Sequence, residues 1–210
     1  LARPPARLQV GCNVLLSDVD IIYMTDPFKH LYRDTDVEGM SDGFDDSTAY
    51  GDADYSTHDE ALPWLGDHTS VRLFARNSGL FYLQATHESL ALMERMADRM
   101  ATESVWDQSA YNQEVLWPAL PYAHPAGSVG DAAGPPGAGR VGTRMSVRVL
   151  HYACYCNSKW IFRFWLQRPA WRDHRPVSVH INYHPEKPDR MRDLALHFHD
   201  KGGGGGGGEG

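Results

Sequence analysis

The run Leu15-Leu16-Ser17-Asp18-Val19-Asp20-Ile21-Ile22-Tyr23 constrains this chain more than any other segment. Its apolar flanks read as buried strand, with Cys12 to Ser17 leading in and Ile21 to Tyr23 leading out. Residues i and i+2 of an extended segment share a side, so Asp18 and Asp20 put two carboxylates together. Such a pair repels unless a positive charge sits between its members, and burying it unpaired is costly. A divalent cation resolves the conflict, and hard carboxylate oxygens suit Mn2+ or Mg2+. The alternative is a strand-end loop carrying two solvated acids. An EF-hand is excluded, because Ile21, Ile22 and Tyr23 stand where further ligands and a glycine belong.

The rest of the chain narrows the class. It has 210 residues and 42% apolar content, which fits one folded domain with a real core. A net charge of -7 disfavours general nucleic-acid binding, which needs a basic surface to displace counterions. Three cysteines make no disulfide scaffold. His151, Cys154 and Cys156 lack a second ligand pair at zinc spacing, so buried thiols or one bridge to Cys12 are the plainer readings. No apolar stretch spans a bilayer and no signal segment precedes the first strand; without an initial Met, the chain reads as part of something longer.

Along the chain, Asp26-Pro27-Phe28 starts a turn or short helix, and residues 36–41 read as a strand. Residues 42–67 are polar and read as a long surface loop. Strands are expected at 71–75 and 80–83, with Asn77-Ser78-Gly79 as a tight turn or a polar contact between them. Thr86 caps a helix running to Met100, with Leu90, Met93, Ala97 and Met100 facing the core. A second helix over 106–116 ends before Pro118. Further strands are expected at 145–152 and 177–181, and a helix at 188–200. The Ala/Gly/Pro-rich stretch 123–142 reads as a flexible insertion, and 202–210 as a disordered glycine-rich tail. Strands alternating with helices, with polar clusters after the strands, predict an α/β sheet that binds its ligand at strand ends.

Three further clusters can carry chemistry. His180 follows a short apolar strand and offers a nitrogen ligand, while Lys187 can reach a phosphate as a point charge. His184 is a second candidate ligand, though Pro185 makes it look like a turn residue. In Trp106-Asp107-Gln108, followed by Asn112, the two amides fall at i and i+4 on one helix face and can hold sugar hydroxyls; capping by Asp107 and surface amides are the alternative.

The segments Leu15 to Tyr23, Asp26-Pro27-Phe28, Leu31 to Gly43, Asn77-Ser78-Gly79-Leu80-Phe81-Tyr82-Leu83, Trp106-Asp107-Gln108 and Val179 to Lys187 together resemble glycosyltransferase family 77. The likeness covers most of residues 10–200 and is nearest to the plant and green-algal arabinosyltransferases that act on hydroxyproline-rich glycoproteins such as extensin. It implies a GT-A fold, a mixed sheet flanked by helices, with a nucleotide-sugar donor, a divalent metal (usually Mn2+), retention of configuration and a Golgi type II membrane topology. By resemblance, Asp18 contacts the metal or the donor ribose, Asp20 chelates the metal, His180 is the third ligand and Lys187 steadies the diphosphate. Asp107 and Gln108 line the donor sugar, with Asn77 and Asn112 also on the donor side.

The nucleotide-binding strands of a GT-A domain precede its Asp-x-Asp. Residues 1–201 are therefore expected to be the C-terminal part of such a domain, with the nucleotide-binding half and any membrane anchor outside this chain. The function implied is transfer of a sugar, L-arabinofuranose first, from a UDP-sugar to a glycoprotein or cell-wall glycan. α-Galactosyl or xylosyl transfer and a non-catalytic carbohydrate- or metal-binding remnant are the alternatives. A metal-dependent hydrolase lacks any motif for its base.

Overall fold

The computed structural model describes residues 6–51, 55–56, 70–71, 75–119, 145–165, 167–171 and 173–200. The expected insertion at 123–142 and the glycine-rich tail at 202–210 lie outside the described residues.

The apolar run around Asp18 is two strands rather than one. β1 (Val14–Ser17) ends before Asp18, and β2 (Ile21–Tyr23) begins after Asp20. The two strands enter different sheets. β1 pairs antiparallel with β6 (Arg76–Leu83), which pairs antiparallel with β3 (Val37–Ser41), which pairs parallel with β7 (Val147–Val149). β2 pairs antiparallel with β9 (Ser178–His180), which pairs parallel with β8 (Tyr155–Asn157). A two-stranded ribbon joins β4 (Tyr55–Ser56) to β5 (Ser70–Val71).

Alternation along the strands assigns each face. Phe81 and Leu83 of β6 face α3 (His87–Thr102) and α4 (Asp107–Ala119), meeting Leu92, Met96, Tyr111 and Val115. Leu80 and Tyr82 face the other way, onto Met40, Leu150, Tyr155 and Ile21. In the smaller sheet, Val179 and Cys156 pack with Trp160, Ile161 and Trp165 of a π-helix (Trp160–Trp165) and with Leu194 and Phe198 of α5 (Lys187–Asp200). Mixed sheets flanked by helices give the GT-A-like α/β architecture that the sequence predicts.

Several local expectations change. Asn77-Ser78-Gly79 is no turn; it lies within β6. Residues 42–51 are not open loop, because Asp45 and Thr48 form a capping box that starts α2 (Asp46–Tyr50). In α3 the Thr86–Ser89 capping box turns Ser89 inward, and the buried stripe becomes Ser89, Leu92, Met96 and Ala97. Leu90 and Met93 move to the flank and Met100 is exposed. α4 continues through Pro118, which has no N–H to give the carbonyl of Glu114. That oxygen instead accepts from Arg95 Nη2 at 3.3 Å. β8 and the π-helix are elements the sequence pattern did not reveal. All three cysteines are free, Cys12 exposed and Cys156 buried.

Candidate metal and donor-sugar site

The Asp18-Val19-Asp20 turn bridges the two sheets, and each acid is fixed by a different ladder. Asp18 N donates to Gly79 O at 2.8 Å, extending the β1–β6 pairing, in which Ser17 faces Leu80. Asp20 O accepts from Ile181 N at 2.9 Å, extending the β2–β9 pairing, in which Ile21 faces His180. Val19 between them points to solvent, 98% exposed. The two carboxylates thus converge through sheet register, not through a shared strand face.

They converge on His180. Its Nε2 lies 3.2 Å from Asp20 Oδ1 and 3.7 Å from Asp18 Oδ2. One ligand atom from each of Asp18, Asp20 and His180 lies within 4.8 Å of the others. Asp20 and His180 are buried, while Asp18 is exposed. Lys187 Nζ donates to the remaining oxygen of Asp20 at 2.6 Å. Lys187 is the first residue of α5, where the helix dipole disfavours a cation. Asp20 offsets that cost. His184 lies outside the cluster, edge-on to Phe162 at 5.6 Å.

The tautomer of His180 follows from its neighbours. Asn77 Oδ1 accepts from Gly79 N at 2.7 Å, and Asn77 Nδ2 donates to Asp42 Oδ1 at 2.5 Å. Both contacts agree on which end of the amide is oxygen, and that oxygen faces His180 Nδ1 at 3.0 Å. Nδ1 therefore carries the proton and donates. Burial pushes the imidazole pKa down against the pull of Asp20, Asp18 and Asp42, which favours the neutral ring. Its Nε2 then presents a lone pair to two carboxylate oxygens. Two carboxylates and one imidazole nitrogen grouped this closely could hold a cation, and that donor set suits Mn2+ or Mg2+.

The two acids differ. Burial raises the Asp18 pKa, and the charges of Asp20 and Asp107 add to it; His180 opposes this only when its ring is charged. Burial acts upward on Asp20 too, but the hydrogen bond and charge of Lys187, joined by His180 when its ring is charged, lower that pKa.

Gly79 has a steric role. A Cβ there would lie 2.3 Å from His180 Cε1 and 2.6 Å from Nδ1. The glycine lets the imidazole lie against the β6 backbone.

The second half of the site comes from α4 and from a residue missed in the sequence. Asp42, assigned there to a surface loop, accepts Asn77 Nδ2 and Asn182 Nδ2 (3.5 Å) on Oδ1. Its Oδ2 accepts Gln108 Nε2 at 2.6 Å and Tyr183 Oη at 3.2 Å. Its backbone is pinned as well: Asp42 N donates to Ala75 O, and Asn157 Nδ2 donates to Asp42 O and Gly43 O. Gln108 is thereby joined to Asn77 and His180 through one carboxylate. Asp107 is exposed and accepts from the backbone of Gln108 at 2.6 Å. Asn112 stands apart. Its Oδ1 takes Arg76 N at 2.7 Å, and its Nδ2 gives to Arg76 O at 2.8 Å and Gln108 O at 2.7 Å. The only sequence hint of Asp42 was the Ser41-Asp42-Gly43 end of a matched segment.

No solved structure matches the chain. Over 189 residues it is 40% identical to Arabinosyltransferase RRA2 of Arabidopsis thaliana, covering 90% of this chain and 40% of that protein. It is 37% identical over 195 residues to Arabinosyltransferase RRA1 of the same plant, covering 93% and 44%. A third Arabidopsis thaliana protein, UDP-D-xylose:L-fucose alpha-1,3-D-xylosyltransferase MGP4, is 31% identical over 108 residues, covering 49% and 27%. The chain thus spans less than half the length of the arabinosyltransferases it matches. Residues 7–194 match the nucleotide-diphospho-sugar transferase family as a continuous stretch, and the chain belongs to that family.

Proposed function

We propose that this chain carries the cation-binding and sugar-facing part of a metal-dependent retaining glycosyltransferase. The proposed reaction moves L-arabinofuranose from a UDP-sugar to a hydroxyproline-rich glycoprotein or glycan in the Golgi lumen. The observation that carries the metal dependence is the meeting of two carboxylates with an imidazole nitrogen inside 4.8 Å. Family membership supports the nucleotide-sugar donor, and the names of two relatives support the arabinosyl group. Retention, the Golgi setting and the acceptor rest on the motif resemblance. No helix among the described residues is long and apolar enough to cross a membrane.

In this scheme Asp18, Asp20 and His180 hold Mn2+, with Mg2+ as the substitute. When bound, the ion supplies Lewis-acid stabilisation of the charge that grows on the departing diphosphate. Lys187 stands beside Asp20, ready to transfer its hydrogen bonds to that diphosphate. Gln108 faces the sugar from α4, Asp107 precedes it, and Asn77 backs the same wall. Retention by double displacement needs a free carboxylate as nucleophile. Asp42 is a poor candidate, because both its oxygens already accept two hydrogen bonds. Front-face attack, with the leaving phosphate as base, is the scheme this arrangement favours.

Xylosyl transfer is the second reading, favoured by the similarity to a xylosyltransferase over half the chain. The test is an assay of the intact protein with Mn2+ and a panel of UDP-sugars against hydroxyproline-arabinoside peptides. UDP-arabinofuranose is expected to be the best donor. Asp20→Ala is expected to lower kcat/KM at least about a hundredfold, and unchanged turnover in that variant would remove the metal assignment.

A further inference from the structure

We propose that Asp42 is a positioning residue that sets the hydrogen-bond polarity of the whole site, tying the sugar-facing Gln108 to the cation-facing His180. The proposal rests on the function given above and adds a residue to it.

An ionised carboxylate only accepts hydrogen bonds, at about four lone-pair sites. Four donors converge on Asp42: Asn77 and Asn182 on Oδ1, Gln108 and Tyr183 on Oδ2. Because Asp42 cannot donate, each of the three amides must turn its NH2 toward it. For Asn77 this leaves the carbonyl oxygen facing His180 Nδ1, which must then donate. In the neutral ring, that proton at Nδ1 leaves Nε2 as a lone pair beside Asp18 and Asp20. For Gln108 the same rule turns Oε1 away from Asp42. One acid thus fixes the tautomer of the imidazole and the orientation of the sugar-facing amide.

The carboxylate can enforce this because it is held from behind. Its backbone N–H is bound to Ala75, and its carbonyl is gripped by Asn157, which faces His180 across the β8–β9 pairing. The residue that grips Asp42 and the imidazole that Asp42 orients therefore lie on adjacent strands, β8 and β9. A neutral amide at position 42 must present an NH2 to one of its two groups of partners. It would set donor against donor at Asn77 or at Gln108, and one of the two would turn over.

The test measures Mn2+ binding to the intact protein without donor, by loss of the free aquo-ion EPR signal. Asp42→Asn is expected to weaken binding about 10–100-fold, as losses behind a metal ligand do. The exchange Asp42→Asn with Asn77→Asp is expected to restore most of that loss. There an amide at 42 donates to a carboxylate at 77, whose oxygens accept from Gly79 N and His180 Nδ1 as before. A merely structural role predicts the opposite: the double variant would be no better than the single one. In the unaltered protein, imidazole 15N shifts should report His180 protonated at Nδ1, a readout independent of whether either variant folds. Unchanged Mn2+ affinity together with unchanged kcat in Asp42→Asn, no recovery in the exchange of what the single variant lost, or an Nε2-protonated His180 would each overturn the proposal. Failure of the unaltered protein to bind Mn2+ would overturn the metal assignment together with it. Mn2+ binding without glycosyl transfer would overturn the catalytic reading alone.

Discussion

At the His180 end of the site, the functional atoms hang from strands or strand ends that backbone ladders fix. At the Gln108 end they hang from the first turns of one helix, and a side-chain hydrogen bond to Asp42 tells the amide where to point. Strand register leaves little choice: with Ile21 opposite His180 and Ser17 opposite Leu80, Asp18 and Asp20 must reach the imidazole. A helix face leaves more. Gln108 and Asn112 lie one turn apart, yet one amide faces Asp42 and the other is taken up by the backbone of Arg76. Backbone pairing thus specifies one end of this site, and side-chain hydrogen bonding the other.

The change that tests the strand-built end most severely is Gly79→Ala. The new Cβ would lie 2.3 Å from the imidazole, against a strand that cannot retreat without breaking its pairing on either side. The expected cost is about 1–3 kcal/mol of stability and at least about a hundredfold loss of Mn2+ affinity, read by thermal unfolding and by Mn2+ titration. Normal Mn2+ binding would mean that this end tolerates displacement and is not held by register.

Gln108→Ala tests the helix-built end. Removing a group aimed at developing charge typically costs about 10²-fold in kcat. Mn2+ affinity should stay within about twofold of the unaltered protein, since Asn77 still holds His180. If kcat and Mn2+ affinity fell together, the two ends would be one unit and the distinction would fail.

The same contrast explains what the sequence could reveal. Asp18, Asp20, His180 and Lys187 were legible because a short apolar strand followed by a polar ligand is a local pattern. Even there the reason was different, since the acids meet across a sheet-to-sheet turn rather than on one strand face. Asn77-Ser78-Gly79 looked like a turn because Asn and Gly favour turns; its glycine answers instead to a histidine about a hundred residues away. Asp42 was illegible for the same reason. Its partners are 35, 66, 140 and 141 residues distant, and one acid within a polar stretch carries no periodicity. The α3 stripe keeps Ala97 in the core and Leu90 and Met93 at its edge, but its centre shifts to Leu92 and Met96 because Ser89, a polar residue, turns inward to close its own cap.

Asn112→Ala should separate architecture from chemistry within one helix. The backbone N–H and C=O of Arg76 lose their hydrogen bonds to Asn112, at a cost of about 1–3 kcal/mol measured by denaturant unfolding. Among molecules that remain folded, KM for the UDP-sugar should hold within about twofold, because the amide is already occupied. A large rise in KM with stability intact would return Asn112 to the donor side.

The smallest effect concerns Tyr183, which sits at φ 65, the left-handed region that favours glycine. Its ring is 67% exposed, so burial contributes little to holding it there. Its visible ties are the hydroxyl on Asp42 at 3.2 Å and the Lys159 ammonium 5.7 Å from the ring centroid. Tyr183→Gly relieves strain of about 1 kcal/mol and loses one exposed hydrogen bond of similar size, while the freer unfolded chain costs a little more. Stability should therefore move by less than about 1 kcal/mol in either direction. KM for the donor should rise about fivefold, the equivalent of roughly 1 kcal/mol of binding, because the Tyr183 hydroxyl shares Asp42 Oδ2 with the Gln108 amide. If stability dropped steeply and KM did not change, Tyr183 would be a fold residue, and the helix-built end would lose the one strained side chain that marks it as functional.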